Sequence, residues 1–342
     1  MFRPSFAMII SRTDRLSLLS IAEKFSRQRI VLLGDLVADE FIYGEIARVS
    51  REAPVLILKQ REKKVVPGGG ANAVNNLAAL GAKAIPVGVV GDDETGQALL
   101  RYFQSREIST RSILQLRNYV TPTKSRILGG LAHWQRQQIV RLDREPAHPL
   151  SREIRKKLSR RVAPLLRSAS AVLISDYGYG STDAREVGFV RRRARGLPVT
   201  LDSRFDLSTY TNLTAATPNE PELEEAFGEK VGNNLAVLHR LGKKLLRRQS
   251  LEALLVTRGR DGMVLLEPRR APHHMAVFGS DQAVDVTGAG DTVIATFTLA
   301  LASGASFLHA AQLANVAGGL VVMKRGTATV TASELKEAIR NA

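Results

Sequence analysis

Short apolar runs recur along the chain, and each is followed by turn residues and then by a stretch with helical spacing. The runs are rich in β-branched residues; the clearest are RIVLLGD (29–35), AIPVGVVGD (84–92), SAVLISD (170–176), LPVTLDS (197–203) and ALLVTRG (253–259). Runs that are apolar on both faces are typical of strands buried in a parallel sheet. Helical stretches cover residues 71–80, 96–105, 151–167, 183–194, 222–227, 235–248, 290–302 and 306–322. This alternation predicts an α/β fold, a three-layer αβα sandwich with a mostly parallel central sheet.

Two regions, residues 39–66 and 119–143, break this alternation and are typical of short strands without helices. In the second region KSRIL and QIVRL flank a Gly-Gly turn. Isolated strands of this kind need a partner sheet for stability. We therefore predict a small β-sheet lid that projects from a single domain spanning residues 1–342. Exposed lid strands would also favour a homodimer formed through the lid.

Composition limits the class of protein. Hydrophobic residues make up 44% and charged residues 24%, close to the usage of soluble globular proteins. No apolar run approaches the ~18 residues of a membrane span, and the opening MFRPSFAMIISRTDR lacks a signal-peptide cleavage pattern. Cysteine is absent, which excludes disulfides, thiolate metal sites and cysteine nucleophiles. We expect a cytoplasmic protein without a membrane partner.

The net charge of +16 raises the question of a nucleic-acid partner. The basic runs at 151–161, 190–196 and 239–249 are separate, and each is typical of a solvated helix face. Aromatic residues make up only 5% of the chain and do not interleave with these runs, so platforms for stacking bases are not evident. We do not expect nucleic acid as a partner. A non-catalytic polyanion-binding protein stays open as the alternative of a different class.

The stretch DVTGAGDTV (285–293) comes just before an apolar helical stretch. Glycines at the start of a helix let backbone N–H groups approach a bound anion, and the helix dipole adds to the attraction. Asp291 would lie in the first turn, where a carboxylate can deprotonate a hydroxyl that attacks a phosphate. Val293 excludes a dinucleotide fingerprint, and no Gly-Lys-Ser/Thr tripeptide supports a P-loop. A glycine-rich entry to an ordinary helix is the alternative.

Three more stretches carry candidate chemistry. In VPGGGANAVNNLAALGA (66–82), glycines and Asn72 suit a polyhydroxylated substrate, and in GDLVADEF (34–41), Asp35 ends a buried strand where a carboxylate could accept sugar hydroxyls. In TPNEPELEEAFG (217–228), Asn219 and Glu222 could organise the waters of Mg²⁺. Tight turns, an Asx-turn and helix capping explain the same patterns equally well.

Taken together, these stretches resemble the ribokinase-like (phosphofructokinase-B type) carbohydrate kinases. Residues 67–96 are similar to the N-terminal signature of that family, DVTGAGDTV to its C-terminal signature and TPNEPE to its Asn-x-x-Glu motif. Within the family, GDLVADEFIYGEIARVSREAPVLIL, LISDYGYG and GTATVT most resemble the kinases of heptose 7-phosphates. The resemblance implies transfer of phosphate from ATP to an anomeric hydroxyl, with Mg²⁺ and a possible role for a monovalent cation such as K⁺. Another sugar, sugar phosphate or nucleoside is the alternative acceptor.

The resemblance also implies roles for individual residues. Asp291 would be the base, and the amides of Gly288, Ala289 and Gly290 would form the anion hole. The implied contacts to the sugar phosphate are Asp35, Gly69, Gly70, Asn72, Lys124, Arg141 and Asp176, and those to Mg-ATP are Asn219, Glu222, Thr257, Gly259 and Asn315, with Glu222 serving Mg²⁺ through water.

The chain departs from the family pattern in two places. It has DYGYG, with Tyr179 where the family tends to place lysine, and DSR, with Arg204 where the family has lysine. The first change removes a cation and the second keeps one, although arginine and lysine are not equivalent. No His-x-Gly-His motif of a nucleotidyltransferase occurs, so a kinase activity alone is expected.

Overall fold

The computed structural model describes residues 11–130, 137–280 and 282–342 of the 342-residue chain. Most of the opening segment and residues 131–136 of the second predicted lid region lie outside the described residues. The strands are β1 (Arg29–Gly34), β2 (Leu36–Val49), β3 (Leu56–Gly68), β4 (Lys83–Val87), β5 (Val89–Gly91), β6 (Leu114–Leu116), β7 (Thr123–Gly130), β8 (Gln137–Arg144), β9 (Ala171–Asp176), β10 (Val199–Ser203), β11 (Ala215–Ala216), β12 (Ala253–Thr257), β13 (Met263–Leu266) and β14 (His273–Met275).

The helices alternate with these strands along most of the chain. They are α1 (Arg12–Glu23), α2 (Gly69–Ala79), α3 (Glu94–Ser105), α4 (Arg152–Leu165), α5 (Ala184–Arg193), α6 (Glu220–Phe227), α7 (Leu235–Gln249), α8 (Ala289–Ala302), α9 (Phe307–Val321) and α10 (Ala332–Asn341). Among the described residues, no helix is sufficiently long and apolar to cross a membrane.

The main sheet confirms the predicted fold class. Its strand order over the described residues is β14-β13-β12-β11-β10-β9-β1-β4, and all pairs are parallel except the two that involve β13. In β1, Ile30 and Leu32 belong to one core cluster and Val31 and Leu33 to the other. Each strand face therefore packs against its own helical layer, as a buried parallel strand requires. Helices α2, α8 and α9 contribute to the first core, and α4, α5 and α7 to the second.

One predicted strand, at residues 84–92, is two strands. β4 lies at the edge of the main sheet, whereas β5 pairs with β6 in a separate two-stranded sheet. The break falls at Gly88, where a Cβ atom would lie 2.6 Å from the carbonyl oxygen of Gly34. The chain therefore leaves the main sheet at a position that only glycine can occupy without moving β1.

The lid is a four-stranded sheet in the order β3-β2-β7-β8 over the described residues. The pairs β2–β3 and β7–β8 are antiparallel and β2–β7 is parallel. Asp39 pairs with Lys124, and Arg126 pairs with Arg141, so these four side chains share one face of the sheet. Polar groups of that face line the cleft at the main sheet. The opposite face carries Leu142, which is 63% exposed.

Gly34 marks the closest approach of β1 to β9, and its replacement tests the packing of the main sheet. A Cβ atom at Gly34 would lie 2.1 Å from the carbonyl oxygen of Ser175, which is backbone and cannot rotate away. We expect Gly34→Ala to lower the free energy of unfolding by about 2–3 kcal/mol, the usual cost of overpacking.

Urea unfolding measures this change, with Gly188→Ala as the matched control. Gly188 lies inside α5, and its added Cβ would meet only the end of the Arg192 side chain, at 3.3 Å. Alanine favours a helix over glycine by about 0.5–1 kcal/mol, so the control should be neutral or stabilising. Equal stability losses in the two variants would contradict the packing described for Gly34.

Candidate active site

Asp291 lies in the first turn of α8, and its carboxylate is fixed by two hydrogen bonds. Asn72 Nδ2 donates to Oδ2 at 2.8 Å, and the Tyr177 hydroxyl donates to Oδ1 at 2.7 Å. The residue before the helix, Gly288, has a φ of 76° and a position where a Cβ atom would lie 2.5 Å from Asn72 Nδ2. Glycine is therefore required there both by the backbone conformation and by the approach of α2.

A chain of polar side chains between α2 and α8 holds Asn72. Asn76 Nδ2 donates to Asn72 Oδ1 at 3.1 Å, and the Thr292 hydroxyl donates to Asn76 Oδ1 at 3.0 Å. All of these groups are buried, where hydrogen bonds between satisfied partners are strong and specify one arrangement. The amide of Asn72 is thereby oriented with its NH₂ group toward Asp291.

Burial is the main reason that the pKa of Asp291 is raised, to about 6. The hydrogen bonds from Asn72 and Tyr177 act in the opposite direction because they stabilise the carboxylate. The nearby charge of Asp39 raises the pKa further, and Lys124 lowers it. A buried carboxylate of this kind is ionised at neutral pH but remains a stronger base than a free aspartate.

The first turn of α8 supplies the amides that were predicted to form an anion hole. A helix leaves its first N–H groups without intrahelical acceptors. Space beside Gly290 is open, because a Cβ atom there would meet nothing within 4 Å. The Ala289 N–H, in contrast, donates to the carbonyl oxygen of Val286 at 3.2 Å. The turn therefore leaves room for an anion beside Gly290, whereas the Ala289 N–H is committed to the carbonyl oxygen of Val286.

Asp291 faces a cavity of about 290 Å³ that continues into two others. A cavity of about 380 Å³ shares Lys124, Arg141, Tyr177 and Arg204 with it. A cavity of about 360 Å³ on the other side shares Thr257, Val286, Ala289 and Gly290 with it. The three form a cleft with Asp291 in its middle section.

Asp39 is a site residue that the sequence analysis missed. Its carboxylate lines the middle cavity, where it accepts hydrogen bonds from Arg126 at 2.6 Å and from the Thr327 hydroxyl at 2.7 Å. Asp39 lies on β2 and Arg126 on β7, so only the pairing of the lid strands brings them together. The available signal was an acidic residue four positions after Asp35, directly after the apolar residues Leu36–Ala38.

Three cations line the outer cavity. Lys124 and Arg141 come from the lid, and Arg204 follows β10. Burial, followed by the positive charge of Arg204, lowers the pKa of Lys124. Arg141 is held by Asp143 through two hydrogen bonds of 2.9 Å. The cations outnumber the two carboxylates of the same cavity, Asp143 and Glu145, and this excess of positive charge favours a bound anion.

Asn219 and Glu222 form a capping box at the start of α6, so the capping alternative is correct for their mutual contacts. The Glu222 N–H donates to Asn219 Oδ1 at 2.8 Å, and the Asn219 N–H donates to Glu222 Oε2 at 2.9 Å. Both residues also line the middle cavity, together with Asp202. The two roles are compatible because capping uses only one carboxylate oxygen of Glu222.

Two carboxylates of the middle cavity, those of Asp202 and Glu222, could take part in binding Mg²⁺. Burial, followed by the negative charge of Glu222, raises the pKa of Asp202. Carboxylates in this situation are stabilised by a cation, and Mg²⁺ keeps several of its waters when it binds proteins. Within the described parts of the chain, no group of three or more histidine, cysteine, aspartate or glutamate side chains is arranged to coordinate a metal ion. Asp202 and Glu222, which line the same cavity, are carboxylates of the kind that could organise the waters of Mg²⁺.

The third cavity contains the three residues Thr257, Gly259 and Asn315 that the resemblance assigns to the nucleotide. Apolar side chains such as Val277 and Val293 also line it. Asn315 Nδ2 donates to the Ala276 carbonyl oxygen at 2.7 Å, which fixes the side chain at the pocket wall. A mostly apolar pocket with a few oriented polar groups is typical of ligand sites.

Four predicted sugar contacts do not line the cleft. Asn72 faces Asp291, and Gly70 lies where a Cβ atom would be 2.7 Å from the carbonyl oxygen of Asp35. Asp35 is completely buried beneath the loop that follows β9. Asp176 accepts hydrogen bonds from the Ser203 and Tyr210 hydroxyls. Of the predicted sugar-side residues, Gly69, Lys124 and Arg141 line the middle cavity.

Comparisons with known proteins agree with this geometry. Residues 28–334 match the model of the pfkB family of carbohydrate kinases. A protein from Pelobacter propionicus named bifunctional protein HldE is 36% identical over 95% of this chain, and its namesake from Coxiella burnetii is 39% identical over 92%. The chain spans 66% and 64% of the length of these relatives.

Solved structures share the fold at low sequence identity. The Arabidopsis thaliana ribokinase complexed with ribose and ATP superposes with a TM-score of 0.70 at 19% identity, covering 92% of this chain and 98% of that one. Phosphofructokinase-2 from Escherichia coli in complex with potassium superposes with a TM-score of 0.71 at 16% identity, with the same coverage. The fold, the family match over most of the chain and the relatives above 30% identity agree: this chain belongs to the pfkB family of carbohydrate kinases.

Proposed function

We propose that the chain transfers the γ-phosphate of Mg-ATP to the anomeric hydroxyl of D-glycero-β-D-manno-heptose 7-phosphate, giving the 1,7-bisphosphate, a precursor for the lipopolysaccharide core. The observation that carries the proposal is the position of Asp291 beside a cavity that continues into the group of Lys124, Arg141 and Arg204. In this cleft an acceptor that carries its own phosphate would place its reactive hydroxyl beside Asp291 and its phosphate beside the three cations. The resemblance of the lid and strand motifs to heptose kinases supports this acceptor over other sugars.

In this mechanism the sugar lies under the lid near Asp39, and the nucleotide lies in the Asn315 pocket. Asp291 takes the proton of the attacking hydroxyl, and the Gly288 and Gly290 amides stabilise the charge that develops on the transferred phosphate. Mg²⁺, held through water by Glu222, would neutralise charge on the ATP phosphates. The lid face would exclude water and so limit wasteful hydrolysis of ATP.

The proposal includes three further properties. A homodimer formed through the lid is supported by the exposed apolar side chains Val140 and Leu142 on the lid face opposite the cleft. Use of a monovalent cation is supported only by the E. coli phosphofructokinase-2 structure with potassium. We place the reaction in the cytoplasm, where ATP is available.

A panel of acceptors tests the function. ADP formation is measured with heptose 7-phosphate, fructose 6-phosphate and ribose, and we expect the largest kcat/KM for the heptose. As the paired variant, Asp291→Asn should lower turnover about 10²–10⁴-fold, the usual range for loss of a general base. Near-normal turnover in the variant would refute Asp291 as the base. A larger kcat/KM for fructose 6-phosphate or ribose would refute heptose 7-phosphate as the acceptor.

The same variant should be more stable than the wild type at neutral pH. The folded protein holds the Asp291 proton up to about pH 6, whereas the pKa of an unfolded aspartate is 3.8. Between these values the folded state binds more protons, so stability falls as pH rises through this window and the full penalty is present above it. Asparagine removes the buried charge, and the Tyr177 hydroxyl can turn to accept from its amide.

Urea unfolding should therefore show a gain of about 2–3 kcal/mol for Asp291→Asn at pH 8, shrinking toward pH 4. This result would also show that lost turnover does not come from misfolding. A variant that is less stable than the wild type by the same amount at both pH values would contradict the buried, raised-pKa carboxylate.

Arg204 should discriminate phosphorylated from unphosphorylated acceptors. Arg204→Ala removes a charged donor from the outer cavity, so KM for heptose 7-phosphate should rise about 10–100-fold, as expected for a lost charged hydrogen bond. Arg204→Lys keeps the charge, so its KM for heptose 7-phosphate should lie between those of Arg204→Ala and the wild type. Initial-rate kinetics with ribose as the second acceptor provide the comparison, and an equal rise in KM for ribose would exclude a role for Arg204 in binding phosphate.

A further inference from the structure

The loop that follows β9, residues 177–181, is organised by the buried carboxylate of Asp35. Asp35 Oδ2 accepts the backbone N–H groups of Tyr177 at 2.9 Å and Tyr179 at 3.0 Å, and Oδ1 accepts that of Ser181 at 2.9 Å. Gly178 and Gly180 have φ values of 80° and 88°, which let alternate N–H groups turn toward the same carboxylate. The path of the loop is thus set by one side chain from the end of β1.

This loop carries the tyrosine that contacts the base. The Tyr177 hydroxyl reaches Asp291 Oδ1 at 2.7 Å. Its ring lies against Gly69, where a Cβ atom would be 3.2 Å from the ring, and Lys124 Nζ lies 5.0 Å from the ring centroid. The ring is therefore confined between α2 and the lid, and its hydroxyl has one well-defined direction.

We propose that Tyr177 is a positioning residue for Asp291, and that Asp35 acts through it by holding the 177–181 loop. The inference rests on the proposed function, because it assigns Asp291 as the base. It gives Asp35 a role different from contact with sugar hydroxyls, since its carboxylate accepts three backbone N–H groups of the loop and its side chain has no exposed surface.

The arrangement leaves the base usable. A carboxylate has about four lone-pair sites on its two oxygens, and Asn72 and Tyr177 each occupy one, on different oxygens. An acceptor hydroxyl can therefore still donate to Asp291. Burial, followed by the charge of Asp291, raises the pKa of Tyr177 well above 10, so the phenol stays protonated and remains a donor.

Loss of the tyrosine hydroxyl should make Asp291 harder to ionise. The charged groups that act on Asp291 from other elements are Asp39, Lys124 and Asp202, and Tyr177→Phe changes none of them. Because a donor that stabilises the carboxylate is removed, the pKa of Asp291 should rise above its value of about 6.

The pH dependence of kcat/KM tests this consequence. In Tyr177→Phe we expect the acidic limb of the profile to move upward by about one pH unit, the effect of one charged hydrogen bond. Turnover at pH 6.5 should fall about threefold and recover most of the loss by pH 8.5, with little change in KM. An unmoved acidic limb would overturn the inference.

Tyr179→Phe is the matched control within the same loop. It also removes one phenolic hydroxyl, but this hydroxyl donates to Glu145 at 3.1 Å and does not touch Asp291. Whatever its effect on KM, its acidic limb should coincide with that of the wild type. A shift equal to that of Tyr177→Phe would mean that disturbance of the loop, and not the contact with Asp291, moves the limb.

Asp35→Asn separates the two roles considered for Asp35. An amide group would direct N–H toward backbone N–H donors, loosen the loop and release Tyr177, so kcat should fall and the acidic limb should move as in Tyr177→Phe. In the double variant Asp35→Asn/Tyr177→Phe, the loss of log kcat should be smaller than the sum of the losses in the two single variants, because both changes remove the same contact. A higher KM for the sugar with an unmoved limb would instead support direct sugar contact. If Asp35→Asn does not fold, Tyr177→Phe alone decides.

A substrate-free measurement separates failure of this inference from failure of the proposed function. The Asp291 carboxyl is titrated by carbon-13 NMR in protein labelled at aspartate, with Asp291→Asn identifying its signal. A higher pKa in Tyr177→Phe than in the wild type supports the inference for any acceptor, and an equal pKa in both overturns it. Absence of phosphorylation on every acceptor would refute the function without affecting this result.

Discussion

The burial of one ionised carboxylate, Asp291, at the start of α8 is the constraint on which the rest of the site depends. A charge removed from water is costly unless hydrogen bonds satisfy it. Asn72 and Tyr177 supply those bonds from two elements that are distant in sequence, α2 and the loop after β9. The site is therefore assembled only when helix, loop and sheet are all in place, and its geometry follows from the fold.

The same constraint explains how the cleft is divided. Asp291 lies between a cavity with several cations under the lid and a largely apolar pocket bounded by α8 and α9. The lid contributes polar groups such as Asp39 and Lys124 because the pairing of β2 with β7 places them on one face.

Local patterns in the sequence predicted most of the fold and the position of Asp291 at the start of a helix. The strand and helix alternation, the lid and the position of Asp291 at a helix start all depend on neighbouring residues, which the sequence displays directly. The break at Gly88 could not be predicted, because it arises from the approach of Gly34 in another strand. For the same reason, the sequence did not identify Asp39 as a residue of the cavity, and Asp35 was predicted to contact the sugar. The two carboxylates look alike in GDLVADEF, and only the loop at 177–181 and strand β7 distinguish them.

In the mechanism that we propose, Asp291 faces the attacking hydroxyl in the middle of one continuous cleft. A crystal structure with heptose 7-phosphate, Mg²⁺ and a non-hydrolysable ATP analogue would test this position. We expect an acceptor hydroxyl within about 3.2 Å of an Asp291 carboxylate oxygen and in line with the γ-phosphate, with the base of the nucleotide beside Asn315 and the sugar phosphate beside Arg204. A sugar bound with its reactive hydroxyl away from Asp291, or a nucleotide under the lid, would contradict it.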